Sequence, residues 1–378
     1  MTPWLIVAGD FSPLGGMDAA NHGLARYLAG RGDVHLVTHQ AWPDLQALPS
    51  VRVHAVPRPF DRHLLGGALL AREGRRVWRR LAASGVRAVV NGGNCPIPVA
   101  NWVHYLHAAH TPLAAGSPIR RAKTAWTHRR DLAAERSALR DAPLVICNSR
   151  RTRQDVIERI GVEPSRAHVV YYGCDPAALP PATPAARAAA RASNGWPADR
   201  PLVGFVGALG DRRKAFDVVF GAWRALCGRA DWDADLIVAG AGAELSAWRR
   251  RAAEAGLADR VRFLGFRRDV PSLLAGLDAL VHPARYEAYG LSVREALCRG
   301  LPAIVSAAAG VAEHYPASLQ DLLIVNPDDA GELADRLSAW RRDLSRYRAL
   351  VEPLSAALRA RTWDAMGEEI ARLVEGQG

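Results

Sequence analysis

The chain alternates short apolar runs with amphipathic stretches, breaks off in a Pro- and Ala-rich segment, and then begins the same alternation again. Strand-length runs separated by helix-length ones specify parallel strands with helical crossovers, because no tight turn can close a parallel pair. In the first half the runs are WLIVAG, VHLVTH, VRVHAV, VRAVVNGG, NWVHYLH, LVICNS and VVYYG, with helices expected near 17–30, 64–84, 119–140 and 150–160. Residues 176–200, PAALPPATPAARAAARASNGWPADR, carry no strand pattern and read as an interdomain linker. After it come LVGFVG, DLIVAG, VRFLG, ALVHPA, PAIVS and LLIV, with helices expected near 215–229, 244–256, 269–276, 291–299 and 328–342. Residues 343–375 are helical without further strands, and Trp363 is their expected anchor. At 378 residues the chain exceeds one typical domain. The expected class is α/β, with two doubly wound, Rossmann-like domains.

Composition narrows the partners. The net charge is +11, and the first half holds all the excess: residues 1–190 carry 24 Lys/Arg against 13 Asp/Glu, and residues 191–378 carry 25 of each. Arg72, Arg75, Arg76, Arg79 and Arg80 recur at helical spacing, and Arg120, Arg121, Lys123, Arg129 and Arg130 form a second cluster. Such clusters raise the local potential for a polyanion, whether an anionic lipid surface, a phosphorylated acceptor or nucleic acid. A solvated basic face in an Arg-rich chain accounts for them equally well, since Lys123 and Lys214 are its only lysines. The cysteines at 95, 147, 174, 227 and 298 lack any C-x-x-C spacing and read as reduced core residues. MTPWLIVAGD has no basic n-region, and no stretch reaches the ~20 apolar residues of a membrane span. The expected location is therefore cytoplasmic, with peripheral attachment at the inner membrane face if the basic clusters bind lipid.

Residues 282–306, HPARYEAYGLSVREALCRGLPAIVS, carry the strongest chemical signal. A buried strand, DALVHPA, runs into a turn that Gly290 leaves unhindered, and SVREALCR follows with helical spacing. Backbone N–H groups at 290–292 would face outward at a helix start, which attracts a diphosphate. Glu287 before the turn can accept hydrogen bonds from sugar hydroxyls, and Glu295 on the helix can do the same for a ribose. A surface glutamate pair on any α/β helix would share the spacing, but Pro283, Tyr289-Gly290-Leu291 and Gly300-Leu301-Pro302 all fit around this one.

This segment resembles the E-x7-E motif of the retaining family 4 glycosyltransferases, which adopt the GT-B fold, and the resemblance covers nearly the whole chain. It implies two Rossmann-like domains facing a cleft: an acceptor-binding domain over 1–185, a nucleotide-sugar-binding domain over 186–355, and a terminal helix, 356–378, crossing back to the first. It also implies that Glu287 holds the donor sugar near its 3-hydroxyl, that Glu295 holds the nucleotide ribose, and that Ala288, Tyr289, Gly290 and Leu291 line the donor.

The second domain opens with GFVGALGDRRKAFD, where Arg212, Arg213 and Lys214 follow a strand end, the edge at which ligands collect in open α/β sheets. The resemblance gives Arg213 and Lys214 the donor diphosphate. It also marks two departures: Ala208 stands where the family usually has Arg, and Ala215 where it usually has Gly. Gly15-Gly16 precede the first helix without completing G-x-G-x-x-G, which disfavours a dinucleotide cofactor; by resemblance they lie against the donor phosphate or the reacting centre. In NWVHYLHAAHTP, His107 resembles the family's active-site histidine. A metal site on His104, His107 and His110 lacks an acidic or Cys ligand. DWDAD at 231–235 has the Asp-x-Asp pattern of metal-dependent glycosyltransferases, but it precedes a strand at the edge away from ligands and reads as a solvated turn. Phe266 and Arg267 would offer backbone groups to the base, and Gly310 and Glu313 loosely match a Gly-Gly-x-x-Glu region.

The expected function is retaining transfer of a hexosyl unit from a nucleotide-diphosphate sugar, with UDP or GDP as the nucleotide, to a hydroxyl on a glycan, a lipid-linked or a small-molecule acceptor. Neither metal, further cofactor nor nucleic acid is expected. The alternatives are a sugar-nucleotide epimerase on the same architecture and a polyanion-binding protein with a degenerate donor site, which Ala208 keeps open. Trp78, Trp102 and Trp126 read as core residues before they read as an acceptor platform.

Overall fold

A computed structural model describes residues 2–59, 63–112, 118–210 and 212–376. The chain divides into two compact units, one of Met1–Thr111, Ala125–Gly173 and Arg361–Gly378, the other of Pro112–Thr124 and Cys174–Ala360.

The first unit contains β1 (Trp4–Val7), β2 (Asp10–Phe11), β3 (Val34–Thr38), β4 (Gln40–Ala41), β5 (Val51–Ala55), β6 (Arg87–Asn91), β7 (Ala100–Val103), β8 (Val145–Cys147) and β9 (Ala167–Val169). Seven of them form a parallel sheet in the order β5-β3-β1-β6-β7-β8-β9, while β2 and β4 pair beyond its carboxyl edge. β1, β3 and β7 are buried along their whole length; β1 is an unbroken apolar run, β3 and β7 bury His35, Thr38 and Asn101 among apolar residues, and β5 at the edge leaves Arg52 exposed.

The second unit contains β10 (Leu202–Val206), β11 (Asp235–Ala239), β12 (Val261–Gly265), β13 (Ala279–His282), β14 (Ala303–Ser306) and β15 (Leu323–Ile324), parallel in the order β12-β11-β10-β13-β14-β15. Its core joins Phe205, Trp223, Val238, Leu280, Leu297 and Trp340 across sheet and helices. The loops after β10 and β11 approach so closely that a Cβ at Gly240 would lie 1.9 Å from the Gly207 carbonyl oxygen, so only glycine fits there.

Several expectations change. Residues 176–200 are not a free linker: Pro184–Ser193 is a helix, started by Pro184 and by Thr183, whose Oγ1 accepts from the Ala186 N–H at 3.1 Å. Its Arg191 is buried and donates to Asp278 Oδ2 at 2.7 Å and to the Gly276 carbonyl at 2.9 Å, and Arg187 also pairs with Asp278. The chain passes between the two units at Thr111/Pro112, Thr124/Ala125, Gly173/Cys174 and Ala360/Arg361. β9 starts before VVYYG, and the helix near 150–160 is Arg150–Asp155 followed by a π turn, Val156–Ile160. DWDAD is not simply solvated: Asp235 is buried against Arg260 at 2.9 Å and Arg200 at 3.1 Å, and Asp233 pairs with Arg341 at 2.6 Å.

Trp102 is core and Trp78 packs against core, but Trp126 is 57% exposed. Trp363 does anchor its helix, Trp363–Glu375, lying over Gly23 of the helix Gly16–Ala29 in the same unit. Of the basic clusters, Arg72, Arg76, Arg79, Arg80, Arg121, Lys123 and Arg129 are exposed, and the side chain of Arg120 lies outside the described residues. Among the described residues no helix is long and apolar enough to cross a membrane.

Candidate active site

In the second sheet the chain runs outward through β10, β11 and β12 and then returns to set β13 against β10. The loops after β10 and β13 therefore flank a topological switch point at the carboxyl ends of the strands, where open α/β sheets bind ligands. Lys214 comes from the first loop and Glu287 from the second, and Lys214 Nζ donates to Glu287 Oε2. His282, the last residue of β13, places Nε2 2.9 Å from the same oxygen, and Arg213 Nη1 lies 3.9 Å from it. Burial pushes the Glu287 carboxyl up, but Lys214, His282 and Arg213 overcome that and hold it well below the usual carboxylate range. Burial and then Lys214 push His282 down, so its imidazole is neutral. It donates from Nε2 to the carboxylate, which leaves Nδ1 without a partner among the described residues.

Arg285 locks the two loops together. Its N–H bonds the Arg213 carbonyl at 2.9 Å, and its guanidinium reaches the Arg212 carbonyl at 2.6 Å, both Asp217 oxygens at 2.8 Å and Asp328 Oδ1 at 2.5 Å. The turn Glu287–Gly290 is held in the same way, since the N–H groups of Gly310 and Val311 bond the carbonyls of Glu287 at 3.2 Å and Tyr289 at 2.7 Å.

Gly290, at φ 109°, ends that turn and caps the helix Leu291–Cys298 without a side-chain acceptor. The first N–H groups of this helix have no intrahelical partner, and the positive end of the helix dipole coincides with them. Ala288 and Tyr289 turn their side chains inward; Tyr289 Oη accepts from Arg294 Nη1 at 2.9 Å and lies 3.2 Å from His314 Nε2. Glu295 is partly buried, and its carboxyl bonds no described residue. Burial alone pushes it up to about 7. Phe266 is 72% exposed just beyond β12, and Arg267 is held by both oxygens of Asp269 at 2.6 and 2.7 Å.

A small pocket opens beside the loop after β10, lined by Ala208, Gly210, Arg212, Lys214, Asp217 and Glu244. Arg213, Lys214, His282 and Glu287 thus converge on one point, with Gly290, Leu291 and Glu295 following on the next helix.

The remaining sequence-derived residues lie in the first unit, also after carboxyl ends of strands. Gly15, at φ 96°, caps the helix Gly16–Ala29 in an exposed loop. Nearby, burial and the neighbouring Asp10 push Asp18 up to about 6, while Arg58 pairs with Asp10 at 2.7 Å. His107 opens a 3-10 turn, His107–Ala109, after β7, and burial pushes its imidazole down. His104 is buried instead, stacked on Tyr172 with Nδ1 2.5 Å from its hydroxyl, and burial takes its pKa to about 3. Among the described residues no three His, Cys, Asp or Glu side chains are grouped closely enough to hold a metal ion.

Residues 14–178 match the family described as Glycosyltransferase Family 4, and residues 186–352 match the one described as Glycosyl transferases group 1. The 2-deoxystreptamine N-acetyl-D-glucosaminyltransferase of Streptomyces fradiae is 30% identical over 357 residues, spanning 87% of this chain and 83% of that one. The chain is a family 4 glycosyltransferase. Solved structures agree on the GT-B fold of this glycosyltransferase. Sucrose-phosphate synthase from Thermosynechococcus elongatus matches with a TM-score of 0.79 at 21% identity, covering 100% of this chain and 99% of its own. Anabaena HepE matches with a TM-score of 0.75 at 21% identity, covering 99% of each chain. These matches do not favour the epimerase or the polyanion-binding reading.

Three residues escaped the sequence reading. His282 had a signal, a histidine at the inner end of a buried strand, whereas Arg285 and Glu135, discussed below, act through partners far along the chain and left none.

Proposed function

We propose that this glycosyltransferase moves a hexosyl unit, with retention of anomeric configuration and without a divalent metal, from a uridine or guanosine diphosphate sugar to a hydroxyl acceptor. The observation that carries the reading is the convergence of Lys214, Arg213 and His282 on Glu287 beside a helix start that no side chain caps. In this reading the diphosphate takes the N–H groups at 290–292 together with Arg213 and Lys214. Cations prearranged where charge develops stabilise the diphosphate as the anomeric bond lengthens, the role a metal would otherwise have. Glu287, kept ionised, accepts from the sugar hydroxyls, Glu295 from the ribose, and the backbone at Phe266 and Arg267 faces the base.

His107 is read as a contact for the donor sugar, and Gly15 and Gly16 as backbone for the donor phosphate. The leaving diphosphate takes the acceptor proton as the hydroxyl attacks the same face, so no protein nucleophile is needed. Two relatives support parts of this: HepE was solved with UDP and glucose, and the Streptomyces fradiae enzyme is named for 2-deoxystreptamine, a small-molecule acceptor.

The test is thermal stabilisation by UDP-, GDP-, ADP- and TDP-sugars in EDTA, followed by product analysis of anomeric configuration. Stabilisation by one donor, lost in Glu287→Ala, supports the reading; a strict requirement for a divalent ion, or an inverted product, refutes it. The cytoplasmic, membrane-peripheral location belongs to the same proposal. It is supported by the exposed Arg121, Lys123 and Arg129 beside Ile119 and Trp126, and liposomes that sediment the protein no better with anionic than with neutral lipid would remove it.

A further inference from the structure

Glu135 has no part in the chemistry above, yet it is 2% exposed on the helix Pro118–Arg140 and gives both carboxylate oxygens to backbone. Its Oε1 accepts from the His107 N–H at 2.7 Å and its Oε2 from the Ala108 N–H at 3.0 Å. One carboxylate therefore grips two consecutive amides of the turn that carries His107. We propose that Glu135 is a positioning residue for sugar transfer: its ionised carboxylate holds the turn after β7 so that the His107 imidazole is presented correctly, and protonation of Glu135 releases that turn. The inference rests on the reading of His107 as a donor-sugar contact.

The chemistry of the pair argues for function over packing. A buried turn can be satisfied by neutral acceptors, and a buried ionised group is costly, so a carboxylate here needs a reason beyond hydrogen-bond supply. Only an ionised carboxylate presents two acceptors side by side to two N–H donors; an amide presents one acceptor and one donor, and a protonated acid converts one oxygen to a donor. Of the charged groups around it, Arg136 favours ionisation and Asp131 opposes it, both from its own helix. From the turn it grips come His107 and His110. His128, again on its own helix, has its ring centroid 6.2 Å from that of His107. Across from it the Gly92–Asn94 turn contributes backbone, a Cβ on Gly93 falling 3.1 Å from the Glu135 nitrogen. Burial, only partly offset by the two amides, pushes the Glu135 carboxyl up to about 7, so the clamp changes state within the ordinary working range.

The sign follows. The gripping form is the carboxylate, so His107 is held above that pH and released below it.

The experiment is a pH titration of the 13Cε1-labelled histidine signals of the full chain, with His107→Ala for assignment, on the wild type, Glu135→Gln and Glu135→Asp. Initial-rate pH profiles are measured in parallel. The expected result is a His107 inflection near neutrality in the wild type that Glu135→Gln removes. The amide should lower kcat about tenfold above neutrality, the loss of roughly one net hydrogen bond, with a smaller change in donor KM and no acid limb of its own. Glu135→Asp should keep an inflection, at a shifted pH.

The His107 imidazole titrates by itself below the usual histidine value; a wild-type signal with no further inflection above that one, or a further inflection that persists in Glu135→Gln, overturns the proposal. So does a Glu135→Gln variant that loses thermal stability while keeping the wild-type pH profile, because that is the behaviour of a merely structural acceptor. If no donor supports turnover by the wild type, the reading of His107 as a sugar contact fails, and the titration still decides whether Glu135 governs the turn.

Discussion

Replacing Lys214 by methionine isolates the central electrostatic relation of the donor site. Lys214 and Glu287 have 14% and 12% exposed side chains, so the weak, screened behaviour of surface ion pairs does not apply. A unit-charge pair at ~4 Å and an effective dielectric near 20 is worth about 4 kcal/mol before desolvation. A buried charge stripped of its partner costs about 3–5 kcal/mol. Here Glu287 keeps the His282 hydrogen bond at 2.9 Å and Arg213 at 3.9 Å, so the expected loss is smaller, about 2–3 kcal/mol. For a unit of this size that is a fall in Tm of roughly 5–10 °C.

The decisive assay is a double-mutant cycle with Glu287→Gln, read by thermal and urea unfolding. If the ion pair is the source, Lys214→Met costs about 1.5 kcal/mol less in the glutamine background than in the wild type. A coupling within ~0.5 kcal/mol of zero refutes the reasoning, whatever the size of the single effects. The pH dependence gives an independent check. The Glu287 pKa is depressed on folding, so its contribution is present above the unfolded-state pKa and lost as pH falls through the folded one. Removing Lys214 raises the folded value, and the acid limb of stability should move to higher pH.

Two further outcomes follow from the same geometry. The Glu295 carboxyl, near half-ionised at about 7 and without an internal partner, should accept a ribose diol best when ionised. Nucleoside diphosphate binding by calorimetry should therefore tighten as pH rises through neutrality, and Glu295→Gln should weaken it about tenfold and flatten that dependence. Gly240→Ala would drive a methyl to 1.9 Å from the Gly207 carbonyl, so one of the two loops must move. The expected cost is about 1–3 kcal/mol in urea unfolding, with weaker donor binding because the displaced loop leads into Lys214.

The sequence by itself determined the class of fold and one half of the donor site. Runs such as WLIVAG and DLIVAG, buried on both faces, can only be interior parallel strands, and a glycine before a helical run specified the turn at 290 because that backbone excludes a Cβ. These are local properties, legible from spacing within a few residues. Tertiary structure alone decided the rest. The segment around Pro184–Ser193 reads as a linker until Asp278, far along the chain, supplies the partner that lets Arg187 and Arg191 fold it down as a helix. The sequence marks Glu287 as a site carboxylate but does not record its pKa, which is held low only because β13 returns to lie against β10 and brings His282, Lys214 and Arg213 to it. Glu135 gained its grip on His107 across 28 positions of the chain. Charge and hydrogen bonding act through space over a few ångströms, and no spacing along the chain records which side chains folding will bring within that reach.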